Sequence, residues 1–291
     1  MRFFAKSIVA ILLAAVIAGL LTYPTWLLVS QFSDYRPDRV MRRVGMVLLA
    51  IALWWVLRRE GLADRRTLGY GLPRRKFIRQ MSAAFAAGLL LMLPIVLGLF
   101  GLNLREWSIE FTELSIAKLC VEGILTGFIV AFVEETFLRG AMFGVIQRES
   151  GDALAILLSS LLYAAVHFLD GKLRIPASEM TFAGGMQIAA HTFERFAAPL
   201  ELLDSFAALF AFGVLLSLLR LRTGAIAASI GLHAGGVCII TMLRNSSDVN
   251  PHAALSWLVG SYDGVIGWMM LLWIGMVTII YGRRSRASYT R

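Results

Sequence analysis

Eight apolar runs, at about 7–30, 40–57, 77–102, 114–147, 152–169, 205–221, 224–243 and 261–281, take up most of this 291-residue chain. A run of roughly 18 or more such residues is long enough to cross a hydrocarbon layer about 30 Å thick. Ordinary soluble domains are about one quarter charged, whereas this chain is 16% charged and 58% hydrophobic. That excludes a soluble globular protein and implies a polytopic membrane protein. Within lipid each backbone amide must be satisfied inside its own segment, which leaves helices or closed barrels. No ten-residue alternating pattern supports a barrel, so the expected fold class is all-α with about eight transmembrane helices.

Lysine and arginine total 28 against 19 acids, a formal charge of +9. A nucleic-acid binder would gather that excess on a polar domain. None exists here, so the partner expected is the lipid bilayer rather than nucleic acid, and the excess is read as topology. Arg2 and Lys6, the group Arg58, Arg59, Arg65, Arg66, Arg74, Arg75 and Lys76, then Arg148, Arg220 and Arg222, and finally Arg283, Arg284, Arg286 and Arg291 fall on one side if the spans alternate. The opposite side holds Glu106, Glu110 and Glu113 with Arg105, the mixed 170–204 segment and the sparse 244–260 segment. Only the first opposite-side loop dissents, with Arg36, Arg39, Arg42 and Arg43 set against Asp34 and Asp38. Both termini are expected to be cytoplasmic, in a multi-pass protein of the plasma (inner) membrane.

The basic start and first apolar run also describe a secretory signal, but the run is long and its cleavage pattern weak, so an uncleaved first helix is expected. Residues 1–113 would then hold the first three spans, 114–243 a four-span core with an extracytoplasmic 170–204 segment, and 244–291 the last span and a basic tail. Within 170–204, Met180, Phe182, Met186, Ile188, Phe193 and Phe196 would line one face of an interfacial helix, unless they belong to an ordinary surface loop. Cys120 and Cys238 lie inside apolar runs and read as small apolar side chains. No internal repeat appears, which counts against a transporter built on inverted repeats.

Ionisable groups inside spans are costly and are usually functional or paired. Span four holds Glu122, the doublet Glu134–Glu135, and Arg139; span five holds His167; span seven holds His233. Glu135 and Arg139 are one helical turn apart, with the acid N-terminal to the base, and can pair. Adjacent helical positions point about 100° apart, so that arginine faces away from Glu134. A buried carboxylate without a counter-charge suits a general base or acid, although both glutamates and Arg139 would equally serve a structural polar network. Glu134 lies 14 residues before Arg148, and His167 lies 15 residues after Asp152, on two arms of a hairpin. At 1.5 Å per residue both are roughly 21–23 Å from the same turn. His233, ten residues past Thr223, is about 15 Å in by the same rise. The pairs Gly123/Gly127, Gly140/Gly144 and Gly231/Gly235 have the spacing that lets helix backbones pack closely. His191 and His252 are expected at the surface.

Glu134-Glu135-Thr136-Phe137-Leu138-Arg139-Gly140 resembles the EExxxR motif of the CPBP intramembrane proteases, the CAAX-processing or ABI family that includes type II CAAX prenyl endopeptidases. Tyr163-Ala164-Ala165-Val166-His167 is similar to that family's FxxxH, and Thr223-Gly224 followed by Ile230-Gly231-Leu232-His233 is similar to its final TG…H segment. The likeness covers residues about 114–243. It implies an endopeptidase acting on a membrane-embedded peptide or protein substrate, in which Glu134 and His167 activate water and His233 stabilises the oxyanion. Glu135 would also belong to the catalytic group, with Arg139 and Tyr163 structuring the site. No cofactor is expected. The family's earlier description as metalloproteases implies the alternative that Glu134, His167 and His233 ligate zinc. Two departures stand out. Tyr163 replaces a phenylalanine and adds a hydroxyl that wants a partner if buried, and Val237 replaces the Asn or Asp expected four residues after the histidine. Loss of one oxyanion donor commonly costs about 100 to 1000-fold in turnover, so a catalytically silent membrane scaffold or immunity protein is the competing reading. A proton-coupled transporter ranks third.

Overall fold

The computed structural model describes residues 2–289 except 60, 62, 170 and 172, with the backbone alone at 2, 3, 53 and 284–289. Arg291 of the basic tail lies outside the described residues. The helices are α1 (Arg2–Val29), α2 (Pro37–Arg59), α3 (Arg74–Gly101), α4 (Glu113–Glu135), α5 (Phe143–Ser150), α6 (Asp152–Val166), α7 (Phe182–His191), α8 (Pro199–Thr223), α9 (Ala227–Ser246) and α10 (Trp268–Tyr289). A seven-residue π-helical segment, Thr136–Met142, joins α4 to α5. Two short strands, β1 (Arg105–Trp107) and β2 (Ser247–Val249), pair antiparallel with Arg105 opposite Val249. The protein is all-α and polytopic.

Each expected apolar run is a helix, but the lengths differ from one another. Among the described residues six segments are long and apolar enough to cross a membrane: Phe4–Val29, Pro37–Arg59, Arg74–Gly101, Glu113–Ser150, Pro199–Thr223 and Ala227–Ser246. The shorter apolar helices are Asp152–Val166 and Trp268–Arg283. Span five, expected to reach residue 169, stops at Val166 because the next amides bond three residues back, Phe168 to Ala165 O (3.1 Å) and Leu169 to Val166 O (3.3 Å). Span eight begins at Trp268 rather than near 261. Asp263 Oδ1 accepts from the amides of Val265 (2.9 Å) and Ile266 (2.8 Å), which holds the preceding residues in a turn.

The chain divides into two compact units. The first comprises residues 1–63 and 165–200. In it, α7 packs on α1 at small residues: a Cβ on Gly19 would stand 2.8 Å from Ala189 Cβ. Thr181 caps α7 by accepting from Gly184 N (3.1 Å). The apolar stripe expected along 180–196 does not hold as one face. Met180 and Ile188 are buried with Ala18 and Met41, while Phe182 and Phe196 are exposed. Of the arginines that dissented from the charge pattern, two share one buried carboxylate, since Asp38 accepts from Arg36 (2.9 and 3.0 Å), Arg42 (3.3 Å) and also Arg174.

The second unit comprises residues 64–164 and 201–291. These units cut across the boundaries drawn from sequence, because α3 belongs with α4 and α9. The reason is backbone contact at glycines. A Cβ on Gly231 would run into Met81 O of α3, one on Gly235 would stand 2.5 Å from Phe85 O, and one on Gly127 would meet Ala234 O. Two of the three small-residue pairs thus bring α9 against α3 and α4. β1 is tied to the same unit by Arg105. Its buried guanidinium donates to Ser247 Oγ (2.9 Å), Gly264 O (3.2 Å) and Leu243 O (3.3 Å), and desolvation lowers its pKa.

Candidate active site

The site lies wholly within the second unit and begins where α4 changes to the π-helical segment. Glu135 is the last residue of α4 and Arg139 sits in the wider turn that follows. Both are fully buried, and Arg139 Nη1 donates to Glu135 Oε1 at 3.0 Å. The guanidinium also donates through Nη2 to Gly213 O of α8 (3.1 Å) and lies 4.6 Å from the ring centroid of Tyr163 on α6. A π-helix leaves carbonyls unserved by the usual i→i−4 pattern, and Arg220 Nε of α8 answers that of Arg139 at 3.1 Å.

Outside the π segment lies the 64–72 loop. A Cβ on Gly140 would stand 2.9 Å from Leu68 O, and one on Gly144 3.2 Å from Thr67 O. The third glycine pair therefore admits a loop, not a helix. Arg148 Nη2 donates to Thr67 Oγ1 (2.8 Å), and Tyr70 Oη shares a 2.5 Å hydrogen bond with Thr136 Oγ1. Asp64 Oδ1 accepts from the amides of Arg66 (2.9 Å) and Thr67 (3.0 Å). The hydrogen bond from the Thr67 side chain leads the effects that hold the Asp64 carboxyl below its ordinary pKa, whereas burial raises that of Tyr70.

His233 enters from α9, which the glycines bring close to α4. Its Nδ1 is 2.9 Å from Glu135 Oε1, and its Nε2 is 3.9 Å from Glu134 Oε2. Tyr163 Oη is 3.5 Å from the same Nε2. The imidazole is held edge-on between the rings of Tyr163 and Phe212, each centroid 5.7 Å away. Glu135 thus serves Arg139 and His233 with one oxygen, while its Oε2, Glu134 Oε2 and Arg139 Nε are buried without a hydrogen-bond partner among the described residues. Buried polar atoms normally find one.

The structure brings together Glu134, Glu135, Arg139, Tyr163 and His233. His167 lies one residue past α6, half-buried, in the first unit. Val237 is half-buried on α9, one turn beyond His233. His191 and His252 are exposed, and neither Cys120 nor Cys238 is in a disulfide. Sequence reasoning missed Arg220, which it assigned to topology, and the Gly213 carbonyl and Phe212, which carry no signal of their own. Among the described residues no three His, Cys, Asp or Glu side chains are placed to hold a metal ion, so no step is routed through zinc.

The family model for type II CAAX prenyl endopeptidase, Rce1-like, matches residues 116–239, a stretch that runs from α4 to the middle of α9 and contains all five clustered side chains. This core is similar to that of the CAAX proteases. The matched model describes endopeptidases, and the six long apolar helical segments of this chain agree with a multi-pass membrane protein. Neither the curated proteins nor the solved structures gave a match to the chain.

Proposed function

We propose that this chain is a glutamate-dependent intramembrane endopeptidase of the plasma membrane, hydrolysing a peptide bond in a membrane-anchored or lipid-modified substrate. The observation that carries the reading is the division of labour in the doublet. Glu135 is committed to Arg139 and His233, while Glu134 Oε2 is left without a hydrogen bond 3.9 Å from His233 Nε2. A carboxylate so placed can take a proton from water. The water oxygen attacks the scissile carbonyl carbon, the carbonyl electron pair moves to oxygen, and the proton held by Glu134 then passes to the departing amine. No metal takes part in this scheme.

Purified protein in detergent, offered a library of membrane-anchored peptides, should cleave a subset of them, and Glu134→Ala should abolish cleavage. Cleavage that survives Glu134→Ala overturns the mechanism, and cleavage lost to a chelator and restored by zinc overturns the metal-free scheme. Val237 favours a second reading, a silent scaffold or immunity protein that keeps the fold. Protein inert toward every peptide but able to retain a membrane partner would support that one.

A further inference from the structure

Which atom of His233 carries the proton decides what the residues around it can do. Glu135 Oε1 lies 2.9 Å from Nδ1 and 3.0 Å from Arg139 Nη1. A carboxylate paired with a buried guanidinium is an acceptor only, so the proton between it and the ring belongs to Nδ1. A neutral His233 then presents a lone pair at Nε2. The groups facing that nitrogen are Glu134, an acceptor when ionised, and the Tyr163 hydroxyl at 3.5 Å. The phenol is the group that can donate to it.

The aim of that hydroxyl follows from packing. Tyr163 is almost fully buried, its ring lies beneath the Arg139 guanidinium, and the α8 backbone crosses so closely that a Cβ on Gly213 would stand 3.2 Å from Tyr163 Cδ1. The ring therefore has little freedom to turn its oxygen elsewhere. We propose that Tyr163 is a positioning residue acting through His233, its hydroxyl donating to Nε2 and holding the imidazole as the Nδ1–H tautomer with both nitrogens engaged. In the resting site the phenol satisfies Nε2. When a reacting oxygen enters beside Glu134, Tyr163 keeps the ring from swinging onto that carboxylate and quenching the base. This rests on the reading of Glu134 as general base, but the Tyr163–His233 bond stands or falls independently of it.

The test joins a spectroscopic readout to a kinetic one. Full-length protein labelled with ¹⁵N-histidine, in detergent at neutral pH, should show His233 with a protonated Nδ1 and a bare, hydrogen-bonded Nε2; His233→Gln identifies the signal. Tyr163→Phe retains the ring and its contact with Arg139, so the protein should stay folded, with Tm lowered by no more than the few degrees that one buried hydrogen bond accounts for. Its Nε2 resonance should move downfield, as expected when a lone pair loses a donor. Where a cleaved peptide is in hand, kcat should fall about tenfold, the worth of one neutral hydrogen bond, with KM little changed. An Nε2–H tautomer, or an Nε2 signal unmoved in Tyr163→Phe, overturns the proposal whether or not the protein cleaves anything. A shifted signal in a protein indifferent to Glu134→Gln supports the Tyr163–His233 bond and removes the general-base reading instead.

Discussion

Replacing Glu135 by glutamine isolates the charge at the centre of the site. Both bonds to Glu135 end on a single oxygen, from Arg139 Nη1 at 3.0 Å and His233 Nδ1 at 2.9 Å. A glutamine carbonyl can accept both, so the substitution removes little but the negative charge. Arg139 is then left as a guanidinium with none of its side chain exposed and no ionised partner. Breaking one side of a buried pair costs about 3–5 kcal/mol, which for a chain of this size lowers Tm by roughly 6–20 °C. Adding Arg139→Met removes the stranded charge at similar volume, and such replacements are often close to neutral. The double variant should therefore be more stable than Glu135→Gln alone, a coupling of at least about 2 kcal/mol. Both should lose activity by about 10²–10⁴-fold, as when an orienting carboxylate is neutralised. Thermal unfolding in one detergent, followed by intrinsic fluorescence, reads the order directly. A Glu135→Gln variant within about 1 kcal/mol of the parent, or a double variant less stable than the single, would refute the reasoning.

Two further outcomes follow from packing and from the 64–72 loop. Gly231→Ala places a Cβ against Met81 O, 2.8 Å from Phe85 N and 2.9 Å from Ala84 Cβ; rigid backbone supplies two of these contacts, so α3 and α9 must separate, at a cost of about 1–3 kcal/mol or more, seen as a lower Tm or loss of monodisperse protein in detergent. Asp64 has a depressed pKa in the folded protein, so its contribution is present above its unfolded value of about 3.9 and is lost as pH falls through the lower folded value. Hydrogen exchange at Arg66 and Thr67, corrected for its intrinsic rate, should accelerate in that acid range, and Asp64→Asn should produce the same acceleration at neutral pH.

Much of the membrane architecture could be read from local chemistry. Apolar runs in lipid become helices because no other segment satisfies its own backbone, and the Glu135–Arg139 pair follows from a spacing of four. The loop at 148–152 was equally legible, and Gly151 supplies its positive φ of 86°. Depth arithmetic put Glu134 level with His167 and left His233 shallower, whereas it is His233 that approaches Glu134, and α6 ends before His167.

What the tertiary structure alone decided is which distant groups meet. Glu135 and His233 are 98 positions apart, and their contact exists because Gly127 and Gly235 allow α9 to lie against α4 and α3 at backbone distance. No periodicity announces the π-helical turn at Thr136–Met142, the Arg220 bond that serves it, or the loop seated on Gly140. Likewise the hydroxyl of Tyr163 was visible as a group in need of a partner, while the identity of that partner depended on α6, α8 and α9 converging. Helix formation is set by neighbours within four residues, whereas the proton-carrying contacts of the site are set by which helix faces are small enough to touch.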